Sequence, residues 1–122
     1  MSDAPAQTAD ALCRHGAELR RRALFAEAEL SLLRALELEH DCAAAHLELG
    51  LTYRAQARLE DAVDYFQLAV HFAPDVIAAW LALGDALAKL GRTQAAVAAY
   101  REALARAPRH AASWIGLGNL YK

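Results

Sequence analysis

Residues 77–110 read IAAWLALGDALAKLGRTQAAVAAYREALARAPRH, which resolves into two amphipathic helices and two stop signals. Ile77, Trp80, Leu81, Leu83, Gly84, Leu87, Ala88 and Leu90 recur at three-and-four spacing, the period that gathers side chains on one face of an α-helix. Gly91, at ease with positive φ, ends that helix. Thr93 is the expected cap of the next one, whose apolar stripe runs through Ala96, Val97, Tyr100, Ala103 and Leu104. Pro108 closes it. Connections this short oblige the two helices to run antiparallel, as a hairpin.

The same unit recurs on both sides. Residues 43–76 match 77–110 at 11 of 34 positions without a gap, among them Ala44, Leu47, Leu49, Gly50, Ala62, Val63, Ala69 and Pro74. Gly16, Ala28 and Ala35 keep register in 9–42, and Trp114, Leu117 and Gly118 keep it in 111–122. A strict period of this length means stacked copies of one small unit, none able to bury its apolar face alone. The expected fold is an all-α solenoid of about seven helices, near 9–22, 25–39, 43–56, 59–72, 77–90, 93–106 and 111–122. Residues 1–8 form a disordered lead-in by the same reading. Gly16, Gly50, Gly84 and Gly118 fall inside first helices, where each costs roughly 1 kcal/mol against alanine. Their recurrence predicts close helix approach, with Ala28, Ala62 and Ala96 as small partners and Leu32, Phe66 and Tyr100 filling the space one turn on.

Composition agrees and excludes several functions. The chain is 57% hydrophobic but only 7% aromatic, with 6 Gly and 3 Pro, as an Ala- and Leu-rich helical protein would be. A net charge of −2 with interspersed signs offers no basic face for nucleic acid. The run Arg20-Arg21-Arg22 sits where a helix dipole ends negative. No apolar stretch approaches the ~20 residues of a membrane span. Cys13 and Cys42 lie 29 apart without metal-like spacing, so free thiols and a cytoplasmic setting are expected, Cys13 facing a groove and Cys42 an inter-repeat turn. His15, His40, His46, His71 and His110 make no ligand pair, and Gly116-x-Gly118-Asn119 follows no strand, so no cofactor, metal or catalytic site is expected. The Ala/Leu/Arg bias hints at a GC-rich bacterial source.

The run Trp80-x2-Leu83-Gly84-x2-Leu87, Ala96-x3-Tyr100, Ala103, Pro108 resembles the tetratricopeptide repeat. Residues 43–76 fit with His46 in the tryptophan column, and 9–42 more loosely with Leu12 there and His40 replacing the proline. The array then divides as 9–42, 43–76, 77–110 and a partial 111–122. The resemblance implies a right-handed superhelix whose first helices line a concave groove for a peptide or protein partner. Carried over by phase, its binding positions include Cys13, Ala17 and Arg20, then Leu47, Leu51 and Arg54, then Leu81, Asp85 and Lys89, and finally Ile115 and Asn119. Arg20, Arg54 and Lys89 would stack as a basic edge favouring an acidic-apolar segment. The carboxylate clamp of chaperone-binding members is not matched: its positions read Cys13, Ala17, Glu48, Ala78 and Ala82, or Leu47, Leu51, Ala82, Ala112 and Gly116 one repeat on. Nor is the asparagine ladder of sugar-transferring relatives, whose columns read Arg14, Glu48, Ala82 and Gly116.

The final helix presents Trp114, Ile115, Leu117, Leu120 and Tyr121 as an interior first helix would. A fragment of a longer array is the expectation, with self-association through that apolar end as its rival. A third reading makes the array the partner-selecting arm of a larger enzyme such as a glycosyltransferase, with the catalytic domain beyond Lys122. Three and a half repeats give a shallow groove spanned by an extended peptide of roughly 8–10 residues.

Overall fold

The computed structural model describes residues 8–122. Seven helices account for nearly all of them: α1 (Ala9–Arg21), α2 (Phe25–Leu38), α3 (Ala43–Ala55), α4 (Leu59–Phe72), α5 (Ile77–Lys89), α6 (Thr93–Arg106) and α7 (Ala111–Leu120). Of the expected lead-in, residues 1–7 lie outside the described residues. Thr8 is the N-cap of α1, its hydroxyl accepting from the Ala11 N–H at 3.1 Å.

The helices pair as hairpins α1·α2, α3·α4 and α5·α6, and each second helix also packs on the next first helix. First helices touch one another along the series α1, α3, α5 and α7, whereas second helices make no comparable contacts among themselves. Closer spacing on one side bends the stack, so the first helices line its inner face.

Three turns inside the hairpins share one geometry. The N–H groups of Leu24, Arg58 and Arg92 each bond to the carbonyl five residues back, at 2.9 Å, wrapping a residue at positive φ. Gly91 takes this role at φ 77°, as its sequence position predicts; Ala23 and Ala57 take it at φ 60° in spite of their Cβ atoms. The tight turn also moves the cap. Arg92, not Thr93, is the N-cap of α6, and no side chain caps it, because the bond from Arg92 N–H to Leu87 starts the helix one residue earlier than expected.

Two columns of the repeat explain the packing. At the glycines, a Cβ on Gly84 would lie 2.8 Å from Tyr100 Cε1, and one on Gly16 2.5 Å from Leu32 Cγ. Gly50 stands against Phe66 in the same way. The large residue of the second helix fills the glycine notch directly; the small partners Ala28, Ala62 and Ala96 are fully buried beside it. Gly118 departs from the column, with nothing within 4 Å, while Gly116 lies against Tyr100. In the tryptophan column, Trp80 and Trp114 donate through Nε1 to the Pro74 and Pro108 carbonyls at 2.7 Å. His46 repeats the contact through Nε2 to the His40 carbonyl at 2.9 Å, stacked on Tyr65 and Phe72. A carbonyl only accepts, so the proton is on Nε2, and the buried Nδ1 has no partner. His15, in the leucine column, is exposed.

Candidate functional site

The inner face divides into three zones of different chemistry. Around α1 it is closed. Cys13 and Ala17 are buried rather than groove-facing. Cys13 Sγ lies 3.7 Å from Cys42 Sγ, because the start of α3 packs across α1; both thiols are free. Burial first, and then the neighbouring Cys42, pushes the Cys13 thiol up to about 12. Arg20 donates through Nε to Glu48 at 3.0 Å, with both side chains about four-fifths covered. The expected basic edge therefore loses its first member, whose charge is already matched by the protein.

The middle zone is an apolar socket of about 140 Å³ between the N-terminal ends of α3 and α5. Leu47, Ala43 and Ala44 line it from α3, Val76 and Ala79 from the other side, and Ala69 from behind. Leu51 and Leu81 are half-buried against the core, so they extend this surface without lining the socket.

The third zone is polar and lies toward the C-terminal ends of α3, α5 and α7. Here Arg54, Asp85, Lys89 and Asn119 meet, as their phase predicts, around a pocket of about 420 Å³. Tyr100, assigned to the core from its column, also reaches it: its ring is buried, and its hydroxyl donates to Asp85 Oδ1 at 2.5 Å. Its sequence signal is the change from Phe66 to Tyr100 within one column, which adds a polar tip to a core ring. Burial and then the bond to Asp85 push the Tyr100 phenol above the ordinary tyrosine range, so it remains a donor. Ile115 is 64% exposed and lines neither cavity.

Neither Arg54 nor Lys89 is in an ion pair among the described residues. The repeat explains why for Arg54. Arg20 finds its carboxylate 28 residues on, at Glu48; the position 28 residues after Arg54 is Ala82. The partner column has lost its acid, and the cation one repeat further on stands free. Gly116, in the same column again, helps to leave the space open. No group of three or more His, Cys, Asp or Glu side chains among the described residues could hold a metal ion, and no helix there is long and apolar enough to cross a membrane.

Two family models, each described as tetratricopeptide repeat, match residues 13–77 and 77–120. No curated protein sequence matches the chain significantly. Solved structures do. The first TPR of Spaghetti (RPAP3) bound to HSP90 peptide SRMEEVD superimposes with a TM-score of 0.89 at 17% identity, over 96% of this chain and 93% of that one. The Arabidopsis OM64 TPR domain gives 0.86 at 18%, over 93% of each chain. A crystal structure of MamA gives 0.86 at 22%, over 93% of this chain and 66% of that one. At such identities the likeness is one of fold, and it agrees with the hairpin stack. With one family model alone spanning more than half of it, this chain belongs to the tetratricopeptide repeat family.

Proposed function

We propose that this protein is an interaction scaffold whose inner face binds a short extended segment of a partner protein, by binding and not by catalysis. The observation that carries the reading is the placement of an apolar socket and a charged, open pocket on one face, against α3, α5 and α7. Relatives of the same fold are described with HSP90 peptide SRMEEVD and HSP70 peptide SGPTIEEVD, both acidic, which favours a peptide as the ligand class. The clamp positions of this chain are apolar or acidic, so its ligand is not held by that clamp. Panning a random peptide library against the immobilised protein tests the proposal. Selected peptides should lose binding to the Leu47→Glu and Leu81→Glu variants and keep it for Leu30→Glu on α2, with helical circular dichroism unchanged throughout. Peptides indifferent to Leu47 and Leu81 would end the inner-face reading.

A second reading is favoured by α7, where Trp114, Ile115 and Tyr121 are 54%, 64% and 68% exposed. An apolar surface of this kind supports association with a second copy. Sedimentation across a concentration series tests it, and a strictly monomeric protein at high concentration rules it out. The division into repeats 9–42, 43–76, 77–110 and 111–122 is supported by the indole and imidazole contacts that return every 34 residues. A cytoplasmic setting fits the two free thiols.

A further inference from the structure

We propose that the inner face reads two side chains of its ligand at once: a carboxylate held between Arg54 and Lys89, and an aliphatic side chain seated against Leu47 and Val76, about four residues apart along an extended peptide. This rests on the inner-face reading above and adds to it the chemistry and spacing of the ligand.

The carboxylate follows from charge. Arg20 shows what an arginine in this column does when an acid is within reach: it pairs with Glu48 at 3.0 Å. Arg54 occupies the same column one repeat later and faces Ala82 and the open pocket instead. Lys89 and the Asn119 amide face the same space. Two cations against the single carboxylate of Asp85, itself bonded to Tyr100, leave one positive charge to be matched. That suits a monoanionic carboxylate better than a dianionic phosphate, which Asp85 would repel. A guanidinium presents a fork of donors to such a group.

The aliphatic residue follows from the socket. At about 140 Å³ it is close to the size of an apolar cavity that accepts a benzene ring, ~150 Å³. Its lining includes no charged residue.

The spacing follows from helix geometry. Leu47 and Arg54 are seven residues apart on α3, about 10 Å along its axis at ~1.5 Å per residue. The socket lies between α3 and α5 and the charged pocket toward α7, a sideways step of roughly 8–10 Å. The diagonal is about 14 Å, which an extended chain covers in about four residues at ~3.3 Å each.

The probes are ten-residue Gly/Ser peptides with one leucine and one glutamate, made in both orders and at several spacings. Backbone and side-chain amide NMR titrations read binding, with Asn119 as a reporter. The four-residue spacing should bind best in one of the two orders. Replacing its glutamate with glutamine should weaken it about tenfold, the scale of a charged hydrogen bond. Ala82→Glu, which supplies Arg54 with the acid that Glu48 gives Arg20, should remove that preference, whereas Ala82→Gln should keep it. Arg54→Ala with Lys89→Ala provides the same loss without a change at a buried site. Equal binding of glutamate and glutamine peptides, no dependence on spacing, or no binding by any member of the series overturns the proposal. If library-selected peptides still depend on Leu47 in that case, the inner-face reading stands without it.

Discussion

Substituting Gly84 by alanine sets two effects of opposite sign against each other in the middle of α5. Alanine gains about 1 kcal/mol of helix propensity over glycine. Its Cβ, however, would stand 2.8 and 2.9 Å from Cε1 and Cδ1 of Tyr100, where carbon contacts are comfortable only at ~3.5–4.0 Å. The ring must withdraw by more than half an ångström, yet Tyr100 is buried and its hydroxyl is fixed to Asp85 at 2.5 Å. Overpacking of this kind costs ~1–3 kcal/mol, and weakening a hydrogen bond to a charged group costs a further ~1 kcal/mol or more. We expect Gly84→Ala to lose about 2 kcal/mol net, a fall in Tm of roughly 6–10 °C.

Gly118→Ala is the internal control. It lies in the same column of the repeat, with nothing within 4 Å. It should gain stability, by a few tenths to ~1 kcal/mol. Urea unfolding followed by circular dichroism compares the two, and a Tyr100→Ala background completes a double-mutant cycle. With the ring removed, Gly84→Ala should change sign and become stabilising. If Gly84→Ala in the wild-type background is as stable as the parent, the glycine column is not kept for the ring and the packing argument is wrong.

Ala57→Gly should stabilise the protein by up to about 1 kcal/mol, since Ala57 holds φ 60° where glycine has no Cβ to strain; a lower urea midpoint would contradict this. Stability should fall as pH rises from about 9 to about 12. Cys13 keeps its proton in the fold up to about 12 against an ordinary 9.0, so in that window the unfolded chain binds fewer protons and is favoured. The raised phenols of Tyr53 and Tyr100 act in the same direction, and a urea midpoint that is flat or rising over this range would refute the sign. Mild oxidation should join Cys13 to Cys42 within one chain, because sulfurs 3.7 Å apart need to close only to ~2.05 Å; loss of both thiols in a titration without dimer on a non-reducing gel is the expected result.

The fold was legible because the columns that define the repeat are the ones that fill its core. Leu32, Phe66 and Tyr100, with Ala28, Ala62 and Ala96, are buried where phase places them, and the observed α3 and α5 end within a residue of the expected 43–56 and 77–90. The first zone of the inner face was not legible in the same way. Phase assigns Cys13 and Arg20 to a face but does not say what the next repeat brings against that face. The Cys42 thiol and the Glu48 carboxylate, 29 and 28 residues away, decide both cases. Pairing each column with the one 28 residues on would have separated Arg20, which meets Glu48, from Arg54, which meets Ala82. The socket at Val76 and Ala79 was missed for another reason: small apolar residues in a helical stripe read as core whether or not they leave a hole.

Periodicity therefore accounts for the stack, and departures from it account for the site. Where the columns agree between repeats, the side chains face neighbours that are themselves repeated, and the surface is satisfied from within the protein. The charged pocket arises where the columns disagree. Glu48 gives way to Ala82 and then Gly116, which frees a cation and opens space; Phe66 gives way to Tyr100, which carries a hydroxyl out to Asp85. Neither change disturbs the core, because Ala82 and Gly116 remove volume only from the inner face and the tyrosine ring keeps the place of the phenylalanine. A repeat protein can in this way alter what it binds without altering how it folds, and restoring the lost acid at position 82 separates the two: it should close the pocket from within while leaving the helices in place.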